Sequence, residues 1–214
     1  MPIPLHRTKT SRHPFAVWIL LLALLTLTAC SDDAPRLAPL SPGARVLAFG
    51  DSLTFGTGAS AEHSYPAQLA QLTGLNLIRS GVPGEVSADG LARLPGELDT
   101  HQPQLLLLCH GGNDLLRKRD KGQLKANLRA MVQLARDRGI QVVLIGVPKL
   151  GLLLSPEPLY AELAEEMALP FEAEALSDIL ADNSLKSDAI HPNAAGYRAL
   201  AERLQQLLKN SGAL

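Results

Sequence analysis

Four short apolar runs, Val46–Phe49, Leu75–Ile78 (interrupted by Asn76), Leu105–Cys109 and Val142–Ile145, recur along the chain with helical patterns between them. A strand wet on one face alternates apolar and polar side chains, whereas a strand covered on both faces reads as a continuous apolar run. Strands that alternate with helices pair in parallel through crossover connections. The helical segments carry their own signals. Asp120 with Gln123 has the spacing of a capping box, and Leu124, Leu128, Met131, Val132 and Ala135 follow at helical intervals up to Gly139. Asn193 can cap a last helix whose apolar side is Tyr197, Leu200, Leu204, Leu207 and Leu208. A fifth, short strand is predicted near Pro170–Glu172. The pattern predicts a parallel, doubly wound α/β sheet, with neither internal repeat nor second domain.

The first 29 residues read as a targeting segment. Arg7, Lys9 and Arg12 precede a nearly wholly apolar stretch from Phe15 to Ala29, with no acidic residue until Asp32. A basic start and a short apolar run are the marks of a secretory signal, and the run is short for a bilayer-spanning helix. Leu27-Thr28-Ala29-Cys30 resembles the lipobox of bacterial lipoproteins, which implies cleavage before Cys30 and lipidation of its thiol. The expected product is exported and anchored in the bacterial envelope, on the periplasmic face of the outer membrane. Residues 30–43, rich in Pro, Ala and Asp, are expected to be a tether, and 44–214 the folded domain.

Composition closes several other routes. A formal net charge of −1 lacks the basic excess of a nucleic-acid binder, and 4% aromatic content offers little stacking surface. Two cysteines make neither a disulfide scaffold nor a cysteine zinc site, and Cys109, ending an apolar run, is expected to be buried and structural. No phosphate-cradling glycine pattern follows a strand; Gly56-Thr57-Gly58 is read as a flexible loop. No cofactor and no metal site is implied, and the protein is expected to be a monomer.

Open α/β sheets bind ligands beyond the carboxyl ends of their strands, so the residues after each strand matter most. They are Gly50-Asp51-Ser52-Leu53-Thr54, Ser80-Gly81-Val82-Pro83-Gly84-Glu85 and His110-Gly111-Gly112-Asn113-Asp114, with Asp188-Ala189-Ile190-His191-Pro192 before the last helix. Each alone reads as a turn or a cap. Together they offer a hydroxyl, backbone N–H groups, an amide and a carboxylate–imidazole pair at one crevice.

These blocks resemble the four motif blocks of the SGNH (GDSL) hydrolases, in order, from about Val46 to Leu208. Gly90-Leu91-Ala92-Arg93-Leu94-Pro95 and His101-Gln102-Pro103 resemble the bacterial secreted thioesterase, lysophospholipase and arylesterase branch. The resemblance implies a flavodoxin-like sheet of five parallel strands with helices on both faces. It also implies carboxylic-ester, and by extension thioester, hydrolysis of small-molecule or lipid substrates through an acyl-enzyme. Ser52 would be the nucleophile, His191 the general base and acid, and Asp188 the group that orients the imidazole. Ser52 N–H, Gly84 N–H and the Asn113 side chain would form the oxyanion hole. The chemistry fits: a serine hydroxyl needs a base, a carboxylate fixes the histidine tautomer, and donors aimed at the developing oxyanion lower the barrier. A helix starting at Ser52 would add a favourable dipole.

The sequence departs from the family at two places. Arg79 and Ser80 stand where the second block usually opens with Asn, and His110 precedes the Gly-Gly-Asn block where relatives often carry another residue. No carboxylate is expected to be placed to orient His110 as a base, Glu85 is read as solvated or turn-bonded, and His63 and His101 are read as surface or capping residues. Leu150-Gly151-Leu152-Leu153-Leu154, after the fourth strand, either packs under a neighbouring helix or forms an acyl wall with Val147, Leu115 and Leu116. With no region left over for a lid, an open site acting on dispersed substrate is expected. Two other functions share these motifs: a carbohydrate O-acetyl esterase of the envelope, and a scaffold that only binds.

Overall fold

The computed structural model describes residue 1, residues 35–149 and residues 154–214. The leader, the lipobox with Cys30 and the stretch Leu150-Gly151-Leu152-Leu153 lie outside them. The elements run in chain order as β1 (Arg45–Gly50), α1 (Ser52–Phe55), α2 (Tyr65–Thr73), β2 (Asn76–Gly81), α3 (Ser87–His101), β3 (Leu105–Cys109), α4 (Gly112–Leu116) and α5 (Lys121–Arg136). There follow β4 (Gln141–Ile145), a two-residue ribbon of β5 (Pro148–Lys149) with β6 (Ser155–Pro156), α6 (Pro158–Glu166), β7 (Phe171–Glu172), α7 (Ala175–Ala181) and α8 (Ala194–Asn210).

Five strands pair in parallel in the order β2-β1-β3-β4-β7. This is the doubly wound, flavodoxin-like order. Helices α3, α5 and α6 pack in succession as one layer, and α2, α8 and α7 as the other. The three interior strands are buried almost throughout: Val46–Phe49, Leu105–Cys109 and Val143–Ile145 have no measurable exposure. Double coverage thus explains their unbroken apolar sequence. β2 is an edge strand and only partly covered, so it extends past the apolar run through Arg79 and Ser80 to Gly81. Those two polar residues therefore lie in the strand, whereas the sequence ends the second apolar run at Ile78 and places Ser80 after the strand.

Helix starts follow the predicted caps with one amendment. Asp120 Oδ1 accepts from the Gln123 N–H at 2.7 Å, but the Gln123 side chain turns down its own helix to Asn127, so the box is only half closed. Asn193 Oδ1 accepts from both Ala195 N and Gly196 N and starts α8. The segment expected to be a free tether is docked from Leu37 onward: Leu37 N donates to Ser211 O and Leu40 N to Ala213 O, each at 2.9 Å, and Ala38 bonds the Gln141 side chain. Cys109 is fully buried, and burial pushes its thiol well above the usual range.

Candidate active site

The strand order reverses between β1 and β3, and the loops that leave these two strands part there to open a crevice. Ser52 stands at the turn from β1 into α1. Its neighbour Asp51 is buried and uses both oxygens on backbone: Oδ1 accepts from Leu53 N at 3.1 Å and Oδ2 from Gly112 N at 3.2 Å. Burial pushes the Asp51 carboxyl up from its ordinary value, against the pull of His110 and of these two N–H groups. The carboxylate thereby fastens the start of α1 to the start of α4, which carries Asn113. Helix α1 has only four residues, so its dipole adds little, and local N–H groups must supply any stabilisation of charge.

The loop before α8 brings the other half of the site. His191 Nε2 lies 3.1 Å from Ser52 Oγ, and His191 Nδ1 lies 2.8 Å from Asp188 Oδ2. The second Asp188 oxygen accepts from Ile190 N at 2.8 Å and His191 N at 2.9 Å, so the carboxylate is held by the same turn it orients. Although burial raises its pKa somewhat, the His191 bond and those N–H groups hold the Asp188 carboxyl below its ordinary value. Asn193 ties the loop down, donating to Ser184 O and Lys186 O while it caps α8.

The two halves are also joined away from the reacting atoms. Tyr197 Oη donates to Thr57 O at 2.8 Å. Gly58 has φ of +98°, and a Cβ there would run into Ser187 Oγ and the Pro192 carbonyl. Gly56-Thr57-Gly58 is therefore not a flexible loop. It is the close contact between the Ser52 turn and the His191 loop, and that contact needs glycine.

On the opposite wall, Gly84 lies in a left-handed turn (φ +79°) and Asn113 Nδ2 donates to the Glu85 carbonyl at 3.0 Å. Leu53, Leu116, Val147, Pro148, Leu180 and Ile190 line the crevice around Ser52 and His191. Val147 and Leu116 of the expected acyl wall face it, while Leu115 packs against the core.

Glu85 and His110 differ from expectation. Glu85 is buried, not solvated: Arg93 holds it with two bonds of 2.8 and 2.7 Å, and His110 Nε2 lies 3.0 Å from its Oε2. A carboxylate therefore does orient His110, supplied from 25 residues away in sequence. His110 is nevertheless fully buried beneath the crevice floor and bonds no other member of the site. Burial alone would raise the Glu85 pKa, but its bonds to Arg93 and His110 hold it down at about 2. A lowered folded-state pKa gives stability that is full above the unfolded value, here an ordinary 4.5, and is lost as the pH falls toward 2. The stability margin of the wild type over Glu85→Gln is thus expected to shrink as the pH falls through this window. Denaturant titrations at pH 7, 4.5, 3 and 2 check it. His63 bonds the Ser60 hydroxyl at the surface, and His101 lies at the end of α3 with Nε2 3.6 Å from Glu97.

Residues 48–199 match the model of the GDSL-like Lipase/Acylhydrolase family. The chain belongs to this family. Its reaction class is ester hydrolysis. It is 32% identical over 177 residues to the Esterase TesA of Pseudomonas aeruginosa, covering 77% of this chain and 87% of that one. It is 28% identical over 198 residues to the Thioesterase 1/protease 1/lysophospholipase L1 of Escherichia coli K12, covering 89% and 90%. The crystal structure of a TesA superposes with a TM-score of 0.69 at 28% identity, over 78% of this chain and 99% of that one.

Proposed function

We propose that this GDSL-family hydrolase works through a Ser52–His191–Asp188 triad and an acyl-enzyme, on acyl esters and thioesters of medium chain length. The observation that carries the reading is the unbroken line of contacts, 3.1 Å from Ser52 to His191 and 2.8 Å from His191 to Asp188, at the mouth of an apolar crevice. Ser52 Oγ attacks the acyl carbon as His191 Nε2 takes its proton. The tetrahedral oxyanion is met by Ser52 N–H, Gly84 N–H and the free hydrogen of the Asn113 amide. The bond to the leaving alcohol or thiol then breaks, and His191 returns the proton to it. A water repeats the sequence and releases the acid. Asp188 keeps the Nδ1 hydrogen toward itself and Nε2 free to accept.

The crevice wall argues for chain length. Each buried CH₂ contributes about 0.8 kcal/mol, so a groove bounded by Leu116, Val147 and Ile190 favours hexanoyl and octanoyl over acetyl groups. A panel of esters and thioesters graded by acyl length tests this, alongside mass mapping of a fluorophosphonate adduct. The adduct is expected on the Ser52 peptide. Acetyl esters outrunning the longer ones would sink the groove and favour an O-acetyl esterase. No adduct and no turnover would favour a binding scaffold. Asn113→Ala is expected to lower kcat about 10²–10³-fold with little change in KM; a loss confined to KM would make Asn113 a substrate-positioning group instead.

The leader supports a second part of the proposal: export, cleavage before Cys30, and anchoring of domain 44–214 to the envelope by lipid on the Cys30 thiol. Mass spectrometry of the native N-terminus checks it, with diacylglyceryl-modified Cys30 as the expected species. Cys30→Ser is expected to shift the protein from the membrane fraction. An unmodified Cys30 in the native protein overturns the anchor.

A further inference from the structure

Both proposed oxyanion donors on the far wall depend on one residue. Glu85 follows Gly84 in the turn, and its carbonyl accepts one hydrogen of the Asn113 amide at 3.0 Å, which leaves the other for substrate. The backbone here holds itself only lightly: Val82 N bonds Gly50 O and Glu85 N bonds Val82 O, each at 3.1 Å, while Val82, Pro83 and Gly84 are exposed. From the solvent side Arg117 Nη2 donates to the Gly84 carbonyl at 3.0 Å; from within, the turn is held by the Glu85 side chain, which points down into the domain.

Two groups meet it there. Arg93 makes two bonds to the carboxylate, bonds Ser80 Oγ, and lies 4.1 Å over the Phe49 ring. His110 makes the third contact through Nε2. Because an ionised carboxylate only accepts, Nε2 carries the hydrogen. The room for this ring is specific: a Cβ on residue 90 would collide with His110 Nε2, and Gly90 leaves that space open. Among the described residues His110 Nδ1 has no partner, although it is buried. An apolar side chain would fill this place, at the end of the wholly apolar β3, without stranding a polar atom. Packing therefore does not account for a histidine here; the bond to Glu85 does.

We propose that His110, with Arg93, is a positioning residue for hydrolysis: it clamps the Glu85 carboxylate from beneath and so holds the Gly84 N–H and the Asn113 amide on one point. The inference rests on the oxyanion hole proposed above. Small displacements of positioned groups are costly in rate, up to about 10²-fold for 1 Å.

The test is kinetics on p-nitrophenyl butyrate with the full-length protein. His110→Leu is expected to lower kcat about 10-fold, part of what a whole donor is worth, with KM within about twofold and thermal stability unchanged or raised. His110→Gln, which can donate from nearly the same place, is expected to recover most of the loss. In an Asn113→Ala background the His110→Leu step is expected to cost much less, because a donor it positions is already gone. Wild-type kcat in His110→Leu overturns the clamp, as do equal losses in the Leu and Gln variants or full additivity with Asn113→Ala. Should His110→Leu fail to fold, Arg93→Lys tests the same clamp by removing the paired bonds and keeping the charge; unchanged kcat there also overturns it. Fluorophosphonate labelling of Ser52 in the wild type separates the two levels. If Ser52 is not labelled, the nucleophile assignment fails; if it is labelled and His110→Leu turns over normally, the clamp alone fails.

Discussion

Ser52→Ala is expected to lower ester turnover about 10⁶-fold, the size of loss seen when a triad nucleophile is removed, while leaving the folded domain in place. The side chain is a single hydroxyl at a half-buried turn whose geometry is set by other groups. Asp51 caps α1 through Leu53 N and reaches across to Gly112 N, and Thr57 N and Gly56 N both bond the Ser52 carbonyl. None of these bonds uses Oγ. Removing it therefore deletes the group that attacks and spares the frame around it. Binding contacts and N–H donors remain, so a small rate above that in water should persist. The measurement is single-turnover and steady-state hydrolysis of p-nitrophenyl esters, with circular dichroism and thermal unfolding as the check on the fold. Turnover within 100-fold of the wild type would falsify the assignment of Ser52.

Asp188→Asn is expected to cost about 10⁴-fold in kcat, the penalty of a wrong histidine tautomer in serine hydrolases. The bonding of Asp188 makes this a clean substitution. Its Oδ1 accepts from Ile190 N and His191 N, and an asparagine oxygen can keep both bonds, so the turn should hold its shape. The amide nitrogen would then face His191 Nδ1. It can only donate, which obliges Nδ1 to accept and moves the ring hydrogen to Nε2, against the Ser52 hydroxyl. The base is then blocked by its own proton. Asp188 is 53% exposed at its side chain, so the substitution buries no new polar group and should barely alter stability. Steady-state kinetics with a thermal melt check both halves. A loss under tenfold would show that this solvent-exposed carboxylate orients the ring without setting its tautomer.

The sequence made these residues legible because they sit in compact blocks next to the strands that present them. β1, β3 and β4 were readable for the same local reason: covered on both faces, they show uninterrupted apolar runs. β2 lost its C-terminal half in the reading because an edge strand shows polar side chains, and Arg79 and Ser80 look like loop until the pairing with Ala48 and Phe49 is known. Two-residue β7 (Phe171–Glu172) lies within the short fifth strand expected near Pro170–Glu172. Glu85 and His110 were misread for a different reason. Their partnership spans 25 residues and exists only once β3 and the loop after β2 lie on either side of β1. One signal was present: a histidine directly following five buried strand residues is itself headed for burial, and a buried imidazole calls for a partner. Gly56-Thr57-Gly58 was likewise opaque, because what Gly58 accommodates is the loop of Ser187 and Pro192, far along the chain.

The chain joins the domain at the pole opposite the crevice. Leu37 and Leu40 lie against Ser211 and Ala213, and Ala38 against Gln141 at the first residue of β4, whereas Ser52 and Asn113 stand beyond the last residues of β1 and β3. At about 3.3 Å per residue a five-residue strand alone puts some 16 Å between these levels. Both ends of the domain therefore serve as handles on the side away from the catalyst. A resin, a bead or a fused carrier attached through either terminus would leave the mouth facing the bulk solution, and kcat/KM for a soluble ester should survive immobilisation by either route.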